Sequence, residues 1–266
     1  VEEYCISFNN LNDLKKIKFL LHKIQNKNIK RNLFIIGAGP SGVELACKIS
    51  DLYGGKFNIS IVEKSNEILS KNKIFNREEA EKALERRKIN ILLKSTVKEI
   101  AENKIYIANN SILKDLDQDL VIWTAGIQAN LPYIDEKVPQ VEGRILVNNK
   151  FQIDSFVNSF AIGDISIIKG MEDLPLTAQV AMQEGNHLAK NMALLLQGKD
   201  LLPFEFKDNG EMISLGIGEA SISALGLTLS GKLAFDARRL IYASKMPAIG
   251  KSLKSSASWL FQKKLF

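Results

Sequence analysis

The chain is poor in the residues from which many active sites are built. It has two cysteines and two histidines among 266 residues. Cys5 and Cys47 stand 42 positions apart, in neither a C-x-x-C nor a metal-ligand spacing. Both are expected to be reduced and inert, with Cys47 a small core residue. Together with His22 and His187 they are too few and too scattered for a zinc site, so no metal is expected. No stretch approaches the ~18 apolar residues of a spanning helix, which excludes such a helix. There is no internal repeat and no low-complexity linker. Acid is scarce in one region: residues 232–266 hold eight Lys/Arg against Asp236 alone, a net +7, and the remainder of the chain sums to −1. Such asymmetry points to a nucleic acid or an anionic membrane as partner. The bulk, 45% hydrophobic and 25% charged, is ordinary for a globular protein.

What the chain does have is a glycine-rich turn in the right setting. Residues 33–36 are an apolar run, Gly37, Gly39 and Gly42 fit G-x-G-x-x-G, and a helical pattern follows. In this motif the first glycine permits the turn and the second lets backbone approach a pyrophosphate. The third lets helix and strand pack closely. The N–H groups behind Pro40 and Ser41 would face the phosphates. A second apolar run, residues 57–62, ends at Glu63, 21 places past Gly42, where an acid meets a ribose 2′-OH.

Hydrophobic spacing predicts a helix over residues 11–25. A charged helix is expected over 77–88, with Asn76 as its N-cap. A strand follows at 89–93, a hairpin at 97–107, and a buried strand at 119–123 ending in Thr124-Ala125-Gly126. Alternating strands and helices make residues 30–125 a largely parallel α/β dinucleotide-binding unit. Beyond Pro132 and Pro139 come short strands at 145–147 and 160–162, the second closing in Gly163-Asp164. A helix then runs from Thr177, its N-cap, to about residue 196, and Gly198 stops it.

Taken in order, GAGPSGVELA (37–46), IVEK (61–64), VIWTAG (121–126), FAIGD (160–164), PLTAQVAMQEG (175–185) and a basic amphipathic tail resemble the flavoproteins with two dinucleotide-binding domains. Within them the chain is similar to the type II NADH dehydrogenases, single-chain NADH:quinone oxidoreductases. The resemblance implies an α/β fold of two Rossmann-like domains plus a C-terminal amphipathic helical tail. Residues 1–28 would end a first pass through the FAD domain, 29–128 form the NADH domain, 129–200 return to the FAD domain, and 201–266 associate with a membrane. That family opens with its own G-x-G-x-x-G for FAD, and only one such fingerprint is present. About a hundred residues, the size of one βαβαβ half, would thus precede the chain and leave its FAD domain incomplete.

The same resemblance assigns roles. Glu63 would hold the adenosine ribose and favour NADH over NADPH, an exclusion weakened by Lys64 beside it. Glu44 would lie near nicotinamide and flavin. Thr124, Ala125 and Gly126 would form the crossing to the flavin domain, and Gly163 and Asp164 would serve the ribitol–phosphate part of FAD. The helix begun by Thr177 and Ala178 would aim its N-terminus at the flavin, where negative charge develops as hydride arrives. Gln179 and Gln183, on one helix face, would orient a quinone. Residues 251–266 mix lysines with Trp259 and Phe261, as in helices that lie in a membrane interface. The implied protein is peripheral to a membrane, on the cytoplasmic face or its equivalent. It uses FAD and NADH, reduces a quinone without proton-pumping machinery, binds no nucleic acid, and could form a homodimer through the tail. Rival readings are a flavin reductase with a soluble protein acceptor, a disulfide reductase whose cysteine pair lies upstream, and a non-catalytic nucleotide- or nucleic-acid-binding module.

Overall fold

A computed structural model of the chain describes residues 4–25, 29–126, 128–131, 134–154 and 156–245. They fall into two compact units, one of residues 1–126 with 209–266 and the other of residues 127–208.

The first unit begins with β1 (Ile6–Ser7) and α1 (Leu11–Ile24). Asn10 caps α1 by accepting from the N–H groups of Asn12 and Asp13, and Asp13 reaches back to the Asn10 N–H, a reciprocal box that satisfies helix-end donors. Then come β2 (Arg31–Ile36), α2 (Pro40–Tyr53), β3 (Phe57–Val62), α3 (Ile74–Arg86) and β4 (Asn90–Leu92). β5 (Ser95–Ile100), β6 (Lys104–Asn109) and β7 (Ile112–Asp117) form an antiparallel meander, and β8 (Leu120–Trp123) closes this part. The main sheet, in order β1-β8-β2-β3-β4, is parallel throughout.

Alternation within β2 explains its unbroken apolar run. Leu33 and Ile35 pack toward α1, α2 and α3, while Phe34 and Ile36 join Ile100, Ile105 and Ile107 of the meander. A strand buried on both faces needs apolar residues at every position. The hairpin expected over residues 97–107 is therefore two strands of three. β7 escapes a hydrophobicity reading because nearly all its residues are exposed. Asn76 does not cap α3. Lys73 occupies that position, and Asn76 lies fully buried inside the helix, donating to Glu211 at 2.8 Å.

In the second unit β9 (Gln140–Val141), β10 (Arg144–Val147), β11 (Gln152–Ile153), β12 (Phe156–Phe160) and β13 (Ser166–Ile168) make one sheet in order β12-β11-β10-β13, with β9 on β10. The strand expected at 160–162 ends at Phe160, and Gly163–Ile165 turns as a 3-10 helix. α4 (Ala178–Leu196) is capped by the Thr177 hydroxyl, and Gly198 follows it at φ +67. Phe151 and Phe204 anchor the core.

The chain then re-enters the first unit as β14 (Glu211–Ser214), β15 (Ala220–Ala224), β16 (Leu227–Ser230) and α5 (Gly231–Ser244). Ile213 and Leu215 join the core of α2 and α3, and Ile222 with Ala220 packs against Ala234 of α5. Much of the segment assigned from sequence to membrane association is thus a folded layer of this unit. Likewise β1 and α1, assigned to the flavin domain, share its sheet and core. The basic stretch 251–266 lies outside the described residues.

Polar contacts fix this returning layer. Asp51 of α2 accepts from Arg87 at 2.7 Å and from the Ile217 N–H at 2.7 Å, and Arg87 also reaches Glu219 at 3.1 Å. Gly216 turns here at φ +118, a conformation that favours glycine, and a Cβ on it would lie 2.2 Å from Asp51 Oδ2. Arg87→Ala takes from Asp51 its guanidinium partner and from Glu219 one of two, since Arg86 also pairs with Glu219. It should lower stability by about 2–4 kcal/mol, below the full-burial range because the acids keep some water. Urea unfolding measures this, and an unchanged midpoint would show that the ion pairs do not anchor the layer.

Candidate functional site

The glycine loop is built as its sequence demands. Gly37 adopts φ +104, and a Cβ there would crowd Ala125 at 3.0 Å. A Cβ on Gly42 would lie 2.0 Å from the Gly37 carbonyl oxygen, so α2 could not sit where it does with any larger residue. Gly39 differs: a Cβ there meets nothing within 4 Å. It is exposed with Pro40 and Ser41, while Gly37 and Gly42 are buried. No side chain caps α2. Two glycines serve packing and the middle one leaves room in front of a helix N-terminus, the arrangement a pyrophosphate requires.

The crossing residues Thr124 and Ala125 form the floor of this loop. The Thr124 hydroxyl donates to the Ile36 carbonyl at 2.8 Å, and the Trp123 indole donates to the Ala125 carbonyl at 2.8 Å. Gly126 follows at φ +78. Glu63 stands at the end of β3, and its two oxygens accept from the N–H groups of Ala38 and Ser65, each at 2.8 Å. Burial opposes its charge, but the backbone donors outweigh it and hold the carboxyl below its usual range. Glu63 is therefore an anion tied to the glycine loop, with lone pairs left for a ligand hydroxyl. Lys64 beside it is exposed.

Glu44 has another partner set than its sequence context suggests. Its carboxylate accepts from the Ser214 N–H at 2.8 Å and from Arg238 at 3.3 Å, bracing α2 against the returning layer. Burial lifts its pKa against those contacts. Neither Ser214 nor Arg238 carries a sequence signal for this.

In the second unit a small hollow is lined by Gly163, Asp164, Ser166, Thr177, Val180 and Glu184, among others. Gly163 turns at φ +76, and the Ser166 hydroxyl donates to its carbonyl at 3.1 Å. Asp164 is exposed and makes no hydrogen bond among the described residues. The Thr177 hydroxyl accepts from the Val180 N–H at 3.3 Å, and Ala178 begins α4. An unengaged carboxylate beside a helix N-terminus suits a ligand that carries both hydroxyls and negative charge. Gln179 and Gln183 are one turn apart on α4. Gln183 is committed at both ends of its amide, donating to the Lys207 carbonyl at 2.8 Å and accepting from the Lys207 N–H at 3.1 Å. Each end keeps one further hydrogen-bonding position. Among the described residues no His/Cys/Asp/Glu group could hold a metal ion.

Comparison with known proteins agrees with this architecture. A demethylphylloquinone reductase of Synechocystis is 32% identical over 98% of this chain and 65% of its own length. An alternative NAD(P)H-ubiquinone oxidoreductase of Arabidopsis thaliana is 30% identical over 97% of this chain and 54% of its own. The chain thus spans between half and two thirds of these two relatives. A type II NADH:quinone oxidoreductase of Staphylococcus saprophyticus is 28% identical over 96% of the chain and 69% of its own length. Among solved structures, NDH2 from Plasmodium falciparum in complex with NADH superposes with a TM-score of 0.81 at 16% identity, covering 98% of this chain and 74% of that one. It shares the fold. The profile of the pyridine nucleotide-disulphide oxidoreductases matches residues 3–185, and the chain belongs to that family.

Proposed function

We propose that the chain is part of a non-proton-pumping NADH:quinone oxidoreductase that moves a hydride from NADH to FAD and two electrons on to a membrane quinone. The observation that carries the reading is the glycine loop: Gly37 and Gly42 are packed solid, Gly39 faces open space, and an ionised Glu63 is tied to the same loop. That combination fits the adenosine diphosphate half of a dinucleotide. The names borne by three curated relatives, each a reductase or oxidoreductase of a quinone, support the acceptor. Bound FAD would supply two-electron chemistry, accepting hydride and passing electrons to the quinone.

The residues of this chain divide the remaining work. Glu63 holds the ribose hydroxyls and repels a 2′-phosphate. Asp164 takes flavin hydroxyls, and the α4 N-terminus at Thr177 and Ala178 stabilises negative charge. Gln179 orients the quinone, with Gln183 offering only the hydrogen-bonding positions that Lys207 leaves it. The place of Glu44 near the nicotinamide rests on its position in the motif, since its carboxylate already serves Ser214 and Arg238. Attachment to the membrane surface is assigned to the basic C-terminal stretch. Exposed Leu233 and Leu240 on α5, the helix leading into it, support this. Among the described residues no helix is long and apolar enough to cross a membrane.

Three measurements test the reading. Gly39 is extended, at φ −73 and ψ −179, so Gly39→Ala should fold normally yet weaken NADH binding by at least about tenfold. Gly42→Ala should instead destabilise the ligand-free protein by about 1–3 kcal/mol. Fluorescence titration and thermal melting separate the two, and a Gly39→Ala protein that binds NADH like the wild type removes the loop from the site. Glu63→Arg should erode the kcat/KM preference for NADH over NADPH by about tenfold or more, as expected for a lost charged hydrogen bond; an unchanged ratio dismisses Glu63. Deleting residues 250–266 should release the protein from anionic liposomes and lower turnover with a long-chain quinone, while a soluble quinone analogue is still reduced. Retained binding and turnover would assign the tail to dimer contacts or the fold.

A further inference from the structure

α4 buries its inner face through Val180, Glu184 and Asn191. Asn191 is explained by the backbone of Leu202, with which it exchanges two hydrogen bonds of 2.9 and 3.0 Å. Glu184 is a different case. Its side chain is one turn from Val180 and only 4% exposed, a place where leucine or alanine would be cheap and an acid is costly. No Lys or Arg forms an ion pair with it among the described residues. Its Oε2 accepts instead from a single backbone donor, the Gly163 N–H, at 2.6 Å. Gly163 is the left-handed residue that turns the chain into Asp164, and the Ser166 hydroxyl holds its carbonyl from the other side. The peptide groups of this glycine are therefore gripped at both ends, by Glu184 from α4 and by Ser166 from the turn. Asp164, the next residue, is left exposed and unengaged. The charged groups around Glu184 in the same hollow are Arg144, Asp164 and Glu172. Burial, with the Asp164 charge adding to it, raises the Glu184 pKa against the pull of the Gly163 N–H.

We infer that Glu184 is a positioning residue for the flavin site: by holding the Gly163 N–H it fixes the turn that presents Asp164 to the cofactor. The inference rests on the flavoprotein reading above. It assigns a purpose to a buried acid that packing alone does not justify, and it makes the reach of the side chain the decisive property. The charge is secondary, because a neutral amide oxygen can accept the same N–H.

The test compares FAD affinity and flavin absorbance in the intact protein and its variants, with melting of the ligand-free protein as the control for folding. Glu184→Asp keeps the charge but withdraws the carboxylate by one methylene. It should weaken FAD binding by about tenfold, near the loss of one charged hydrogen bond, with a correspondingly altered flavin spectrum. Glu184→Gln keeps an acceptor at the same reach and should bind FAD within about threefold of the wild type, about 0.7 kcal/mol. In an Asp164→Ala background, Glu184→Asp should cost little more, because the group it positions is gone. Wild-type affinity in Glu184→Asp, or full additivity with Asp164→Ala, overturns the assignment of Glu184 while leaving the flavin site in place. If the wild-type protein takes up no FAD, the flavoprotein reading itself fails and carries this inference with it.

Discussion

The fit between α2 and the turn after β2 is the constraint on which the rest of the first unit depends. The Gly42 Cα faces the Gly37 carbonyl at a distance that admits no side-chain carbon. This closeness brings the start of α2 over the end of β2, and it leaves the α2 N-terminus open at Gly39. Thr124 and Ala125 fill the space beneath, and Glu63 ties the neighbouring strand to the loop through the Ala38 N–H. The same few ångströms thus set the helix, the strand end and the room for a ligand. Close packing and open space fall on different glycines, Gly37 and Gly42 for the first and Gly39 for the second.

The back of α2 is used just as fully. Glu44 and Asp51 accept backbone N–H groups of Ser214 and Ile217, and Arg238 and Arg87 neutralise them. Each acid meets both a peptide donor and a guanidinium, which offsets the cost of removing its charge from water. Glu211 of β14 braces the start of α3 with amide donors instead, accepting from Asn72, the Lys73 N–H and Asn76. The three-stranded sheet is tied to α2 by carboxylates that accept from the backbone N–H groups of Ser214 and Ile217. Ile213 and Leu215 add the hydrophobic contact.

Much of the first unit was legible in the sequence because its signals are local. The apolar runs of β2, β3 and β8 and the glycine spacing each follow from neighbouring residues, as do the Thr177 cap and the Gly198 stop of α4 in the second unit. What escaped depends on pairing across the chain. β7 is a polar strand that exists through its ladder to β6. The 211–230 sheet follows a glycine, Gly210, whose Cβ would strike Ala224, a contact between distant positions. Asn76 read as a cap because asparagine favours caps, yet its amide is spent on Glu211. The commitments of Glu44 to Ser214 and of Gln183 to Lys207 are equally long-range. A sequence motif names such residues without showing what else they hold. Glu184 did carry a signal, an acid on the apolar face of a predicted helix, four places after Val180.

The central claim is that electrons enter this protein from NADH and leave to a quinone. Anaerobic titration of the intact, flavin-loaded protein tests it most directly. Substoichiometric NADH should bleach the visible flavin absorbance, and a quinone added afterwards should restore it in equal measure. Flavin that is indifferent to NADH, or that is reoxidised by a ferredoxin-type protein and not by a quinone, would contradict it.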